Sequence, residues 1–276
     1  MSRIAIVTDS TADIPENLAL QYQIHIVPNI VVIDGKSYED GKGISRQEFY
    51  ENLPFMNTYP TTSTAPPGIY QQLYGKILNN GTDQIVSIHA SSKLSGIFNA
   101  ARLGAQAYDN KVKVIDSESL SLGLGFQVLA AAEAAKTQPL SEILSIIKDV
   151  RSKVKLVAML DTLEYIHRSG RVSWARAQIG ELLRIKPFLT IKDGSVIRIG
   201  EVRTRKNGIK HLREMLQSYG PFKQLAILHS HAEDDAYQFH AEMSALVPSP
   251  PLLVYVTTVI GTHVGPNGLG FVALSI

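Results

Sequence analysis

Ile4-Ala5-Ile6-Val7-Thr8-Asp9-Ser10 is a short apolar run, partly β-branched, that stops on an acid and a hydroxyl. It reads as a buried strand whose end turns polar. Three further runs repeat the pattern at Ile85–His89, Val112–Asp116 and Leu156–Met159. Between them lie helical patterns over Pro15–Tyr22, Pro67–Asn79, Ser95–Tyr108, Leu120–Lys136 and Leu140–Lys153, with apolar residues three and four apart. Strands alternating with helices imply strand-helix-strand units and a mostly parallel α/β sheet. Ser45 followed by Glu48 is a capping-box pattern for a further short helix.

Downstream the pattern changes. Pro187–Lys192 and Val196–Val202 flank Asp193-Gly194, a hairpin signal, so antiparallel pairing is expected there. A helix over Arg205–Tyr219, a strand over Leu225–His229, a helix over Glu233–Leu246 and strands near Leu252–Thr257 and Phe271–Leu274 complete an α+β region. The expected architecture is α/β with two domains, a mostly parallel one over 1–165 and an α+β one over 166–276. A chain of 276 residues accommodates two domains of ordinary size.

Composition excludes several classes. The chain has no cysteine, so disulfides, thiolate nucleophiles, cysteine zinc sites and iron–sulfur clusters are ruled out. Its longest apolar runs fall far short of the roughly 20 residues that a bilayer-spanning helix needs. The opening residues read as a strand, not a secretory signal, and a cytoplasmic location is the expectation. Residues 1–165 carry 14 basic against 17 acidic side chains, and the remainder 13 against 8. The excess in the second half is dispersed and lacks interleaved aromatics, which argues against a nucleic-acid groove.

Four polar segments interrupt this plan, and an open α/β sheet binds ligands beyond the carboxyl ends of its strands. Asp9-Ser10-Thr11-Ala12-Asp13 reads first as a set of caps for the helix from Pro15. Thr61-Thr62-Ser63-Thr64 sets four hydroxyls before a proline-led helix; one is expected to cap it, and the others fit either a plain loop or a neutral cradle for an anion. Ser91-Ser92-Lys93-Leu94-Ser95-Gly96 would offer helix N-terminal amides and the Ser95 hydroxyl to a carboxylate or phosphate. Gly261–Gly270 reads as a glycine-rich turn around His263. Ser95 as nucleophile, His263 as base and Asp9 or Asp116 as orienter would make a hydrolase, but no Gly-x-Ser-x-Gly elbow is present. Recognition of a small phosphorylated metabolite is a third reading. His229 and His231 followed by Asp234-Asp235 are explained more simply by a strand-to-helix turn than by a metal, and no nucleotide-binding motif opens a helix.

Taken in order, these segments resemble the DegV family of bacterial fatty-acid-binding proteins almost end to end. The resemblance is carried by Asp9-Ser10, Thr62-Ser63, Ser91-Ser92-Lys93-Leu94-Ser95-Gly96, Asp116-Ser117, Leu163-Glu164-Tyr165-Ile166-His167-Arg168-Ser169-Gly170-Arg171, Lys186-Pro187 and Gly261-Thr262-His263-Val264-Gly265-Pro266. It implies one long-chain fatty acid in a tunnel between two domains, its carboxylate held by Thr62, Ser63, Ser95, Gly96 and His263. It also implies a non-catalytic role, without cofactor or metal: presenting the bound acid to a dihydroxyacetone-kinase-like fatty acid kinase that makes acyl phosphate for phospholipid synthesis. Arg168, Arg203 and Arg205 are the candidate contacts to that partner or to the acyl phosphate.

Overall fold

The computed structural model describes residues 3–172 and 185–276. Its strands are β1 (Ile4–Asp9), β2 (His25–Val27), β3 (Ile30–Ile33), β4 (Lys36–Glu39), β5 (Thr61–Ser63), β6 (Gln84–His89), β7 (Val112–Asp116), β8 (Val154–Met159), β9 (Lys186–Lys192), β10 (Ser195–Val202), β11 (Phe222–Ser230), β12 (Leu252–Tyr255) and β13 (Gly268–Ser275). The helices are α1 (Glu16–Gln21), α2 (Arg46–Asn52), α3 (Pro67–Asn79), α4 (Ile97–Ala105), α5 (Leu122–Ala134), α6 (Leu140–Lys153), α7 (Glu164–Ser169), α8 (Arg205–Tyr219), α9 (Glu233–Met243) and α10 (Thr258–Val264).

Contacts divide the chain into two discontinuous units: Met1–Ile30, Ser63–Ser152 and Asp193–Ser195 in the first, and Val31–Thr62, Lys153–Lys192 and Val196–Ile276 in the second. This differs from a single cut near 165 in three places: the turn Asp193–Ser195 belongs with the first unit, and strand pairing explains a second difference. β8, expected in the parallel sheet, pairs antiparallel with β13 (Val157 opposite Phe271) and with β9 (Ala158 opposite Leu189), so the chain has changed units by residue 153. The third is the stretch Val31–Thr62, which joins the second unit through β3, β4, α2 and β5.

The first unit is built on a parallel sheet in the order β2-β1-β6-β7. Parallel strands are covered on both faces and so are apolar nearly throughout: Val7, Ile85, Val86 and Ile88 are fully buried. Helix α5 is buried along most of its length because it packs on β1 and β6. The order places β2 on one side of β1 and β6 on the other. The chain therefore changes direction at the carboxyl ends of β1 and β6, where Asp9 and His89 stand.

The second unit carries a six-stranded mixed sheet, β10-β9-β8-β13-β11-β12, antiparallel at β9-β8-β13-β11 and parallel at β11-β12. Helices α8 and α9 pack on it through Leu212, Leu216, Ala236 and Phe239 against Met159, Ile227 and Phe271. The hairpin forms as its turn residues dictate, with Asp193 at φ 50° and Gly194 at φ 75°. A three-stranded sheet, β4-β3-β5, comes from the 30–63 stretch, and Val31, Phe49, Tyr50 and Leu53 form a core cluster with Tyr165 and Val259. Among the described residues no helix is long and apolar enough to cross a membrane.

Candidate functional site

The polar end of β1 does more than cap a helix. Asp9 begins a short 3-10 turn, Ser10–Ala12, and accepts the Thr11 amide at 3.1 Å, whereas Pro15 precedes α1 with no side-chain cap. Its carboxylate is wholly buried and fully partnered. Oδ1 also takes the Thr11 hydroxyl and Asn29 Nδ2 (3.1 Å); Oδ2 takes His89 Nδ1 (2.9 Å) and the Ala90 amide (3.3 Å). Burial pushes the Asp9 carboxyl up, but the His89 bond and charge, Thr11 and Ala90 together outweigh it and hold it below the usual carboxylate range. The chain of bonds continues from His89 Nε2 to Ser87 Oγ (2.7 Å) and on to Tyr74 OH (2.8 Å). Asp9, His89 and Ser87 thus have the order of a hydrolytic triad, yet all three have no exposed surface, so the serine meets no substrate. This network fixes where the 91–96 turn leaves the sheet.

That turn is held by bonds within the first unit, some of them between residues far apart in sequence. Ser91 accepts the Leu94 and Ser95 amides on its carbonyl and donates its hydroxyl to Gly194 O (2.7 Å), and Asp116 accepts the Ser92 amide (3.2 Å). Ser95 Oγ accepts the Ile97 amide at 3.3 Å from the position before the cap of α4, which is Gly96 and makes no side-chain bond. Gly96 has φ −74°, a conformation any residue adopts. Among the described residues a Cβ there would touch Thr64 Cγ2 alone, at 3.8 Å, which leaves its backbone open to approach from them. Ser63 is exposed and makes one long bond, to Thr64 O at 3.4 Å. None of the four hydroxyls of 61–64 caps α3: its cap is Pro66, which has no side-chain bond, and Thr61–Ser63 is strand β5 instead.

In the second unit the expected glycine-rich turn at 261–270 is instead helix α10 followed by β13, which begins at Gly268. The glycines serve packing. A Cβ on Gly261 would stand 2.3 Å from Tyr50 OH, and one on Gly265, at φ 76°, would stand 2.3 Å from the Tyr165 ring. Helix α10 turns His263 toward β5, where Nε2 lies 3.0 Å from Thr62 Oγ1. Residues 201 apart in sequence thus form one polar pair. His263 Nδ1 is buried without a hydrogen-bond partner among the described residues. Burial, with the nearby Arg171 charge, pushes the imidazole down to about 4, so it is neutral at pH 7. A neutral imidazole bonded to a hydroxyl keeps one donor to spare: Nδ1–H if Thr62 donates to Nε2, or the Thr62 O–H if Nε2 carries the proton.

The candidate arginines differ in their freedom. Arg168 lies over the Tyr59 ring, 3.9 Å from its centre, and pairs with Glu164 at 2.5 Å. Arg205 binds Asp235 and donates to Asn267 O at 2.6 Å, so it ties the start of α8 to α9 and to the turn before β13. Arg203 is exposed and has no ion pair among the described residues. His231 leaves β11 at φ 59° and bonds Tyr255 OH through Nδ1 (2.9 Å), while His229 stacks on the Tyr255 ring. Among the described residues no cluster of three or more metal-ligating side chains occurs.

The fold and this geometry define an α/β protein of two units, each discontinuous in sequence, that carries a part-buried, uncharged hydroxyl–imidazole pair. The chain belongs to the DegV family: the family model described as "uncharacterised protein, DegV family" matches residues 3–275. It is 36% identical over 274 residues to Protein DegV of Bacillus subtilis, covering 97% of each chain. Its structure matches that of a fatty-acid-binding DegV-family protein from Thermus thermophilus with a TM-score of 0.92 and 32% identity, over 99% of this chain and 100% of that one. It matches DegV, a fatty acid binding protein from Bacillus subtilis, with a TM-score of 0.89 and 35% identity, again over 99% and 100%.

Proposed function

We propose that the protein binds one long-chain fatty acid and that Thr62 and His263 hold its carboxylate. The observation that carries this reading is the part-buried Thr62–His263 pair, whose Nδ1 has no partner among the described residues, in a chain whose relatives from Thermus thermophilus and Bacillus subtilis are fatty-acid-binding proteins. Affinity comes from the tail: each buried methylene contributes about 0.8 kcal/mol, so roughly 14 of them supply around 11 kcal/mol before ordering costs. The head group then needs orientation more than neutralisation, which a hydroxyl and a neutral imidazole provide without the desolvation cost of a buried cation. A bound carboxylate raises the proton affinity of His263, so the acid and the imidazole stabilise each other. By the family resemblance alone, Ser63, Ser95 and Gly96 also serve the carboxylate.

The rival reading, an acyl-ester hydrolase through Ser95 and His263, has less support. The hydroxyl bonded to His263 is that of Thr62, and among the described residues Nδ1 has no acid to orient the ring as a catalytic base requires. The protein on this reading is a cytoplasmic, substrate-presenting subunit with no turnover of its own. A dihydroxyacetone-kinase-like partner phosphorylates the acid it holds, and Arg203, the free candidate among the arginines, faces that partner. Organic extraction of the protein purified from bacteria, followed by mass spectrometry, should release a stoichiometric fatty acid. An empty protein that also ignores added oleate and palmitate would sink the binding reading. Failure of the loaded protein to yield acyl phosphate with such a kinase and ATP would remove the presenting role and leave the binding intact.

A further inference from the structure

Both halves of the Thr62–His263 pair depend on one stretch of chain, 31–62, because that stretch supplies Thr62 and also grips the helix that carries His263. Two side chains, Asp40 and Tyr50, do the gripping at the start of α10. Asp40, buried after β4, accepts the Thr258 hydroxyl on Oδ1 at 2.8 Å, and Thr258 is the first residue of the helix. Tyr50 on α2 is fully buried and donates to the Val256 and Thr257 carbonyls at 3.2 and 3.4 Å, immediately before the helix. The Tyr50 ring also sits against Gly261, at the middle of α10, where no Cβ could be accommodated. The helix itself is stiffened by Thr262, which bonds back to Thr258 O at 2.9 Å, and it ends at Gly265 beneath the Tyr165 ring.

We propose that Tyr50 and Asp40 are positioning residues for His263, setting the imidazole against Thr62 through the rigid two-turn helix α10. This rests on the fatty-acid reading of the pair. The hydrogen bond at 3.0 Å loses most of its strength when its donor–acceptor distance exceeds about 3.5 Å, so a slide of α10 by a fraction of its 1.5 Å rise per residue separates the pair. Neither residue needs to touch the lipid for this to matter.

The test reads the imidazole directly. In protein labelled with 15N-histidine, the His263 resonances are identified by their loss in His263→Gln, and oleate affinity and thermal unfolding are measured alongside. Tyr50→Phe and Asp40→Ala should shift the His263 Nε2 and Nδ1 resonances in the lipid-free protein and weaken oleate about five- to tenfold, the loss expected for one neutral hydrogen bond. Asp40→Asn, which keeps the accepting oxygen, should restore both readouts. Leu216→Ala, a core truncation on α8, controls for lowered stability and should leave the resonances in place. Unchanged His263 resonances in Tyr50→Phe and Asp40→Ala overturn the proposal, as does an equal shift in Leu216→Ala. Shifted resonances with unchanged oleate affinity would uphold the positioning and defeat the carboxylate role instead. Should Asp40→Ala fail to fold, Tyr50→Phe, which removes a single oxygen, decides the matter.

Discussion

His263 and Asp9 show how opposite electrostatic solutions coexist in one chain. His263 is kept neutral by burial near Arg171, whereas Asp9 is kept charged because donors saturate both its oxygens. The signs of their contributions follow. The folded His263 protonates near 4 and the unfolded one near 6.5, so between these values the unfolded chain binds more protons and acidification costs stability. Urea midpoints of the parent should therefore fall as pH drops from 6.5 to 4 by more than those of His263→Gln, and parallel curves would refute the assignment. Saturating oleate should move the His263 titration upward, which NMR can follow. Asp9→Ala should cost about 3–5 kcal/mol in urea unfolding, because it strands the His89, Ala90 and Asn29 donors in a buried place. A loss under 1 kcal/mol would mean the network is incidental. Reading the sequence singled out Asp9, Thr62 and His263, but not His89, Ser87 or Tyr50. Asp9 and Thr62 stand in conspicuous polar segments, while His89 ends an apolar strand and acquires its meaning from the β1–β6 register, which a single sequence does not encode.

At the scale of elements, local chemistry was a good guide where it was sufficient by itself. Ser45 caps α2 by accepting the Glu48 amide at 3.0 Å, helices α3, α6 and α8 span the residues their periodicity marks, and Asp193-Gly194 makes its turn. Local chemistry failed where tertiary packing dictates the backbone. Strands β2 to β5 are three or four residues each and too short for an alternation to register. The sequence reads 261–270 as a turn because its glycines look like turn residues, yet Gly261 within α10 and Gly265 just after it are there to admit Tyr50 and Tyr165. Glycines should accordingly separate by neighbour, not by number. Gly261→Ala should cost about 1–3 kcal/mol through overpacking against Tyr50. Gly68→Ala, at the start of α3 with no described residue within 4 Å, should be neutral or stabilise by up to about 1 kcal/mol. Urea titration of the two variants checks the order, and equal effects would remove the packing explanation for the 261–265 motif.

Across the whole molecule, the chain enters each of its two units three times, and this has a consequence for dissection. A cut after 165, the division suggested by the change from alternating strands and helices to a hairpin pattern, separates β8 from β13 and β9, its partners on both sides. It also leaves Val31, Phe49, Tyr50 and Leu53 without Val259. The sequence pattern located the change in sheet type to within about a dozen residues, since β8 opens at 154, but it could not reveal that 31–62 belongs with the later part. That membership depends on contacts such as Tyr50 with Val256 and Asp40 with Thr258, more than 200 residues apart. A fragment of residues 1–165 should therefore expose an unpaired β8 and an apolar α2 face, bind a hydrophobic dye such as ANS and aggregate. A fragment of 166–276 lacks the strand between β9 and β13 and should show no cooperative transition. Mixing the two should recover the transition of the intact chain if the sheet can reassemble, since every pairing is then available again. A cooperative, dye-silent 1–165 fragment would show instead that the first part of the chain is complete without the later strands, and the discontinuous division would be wrong.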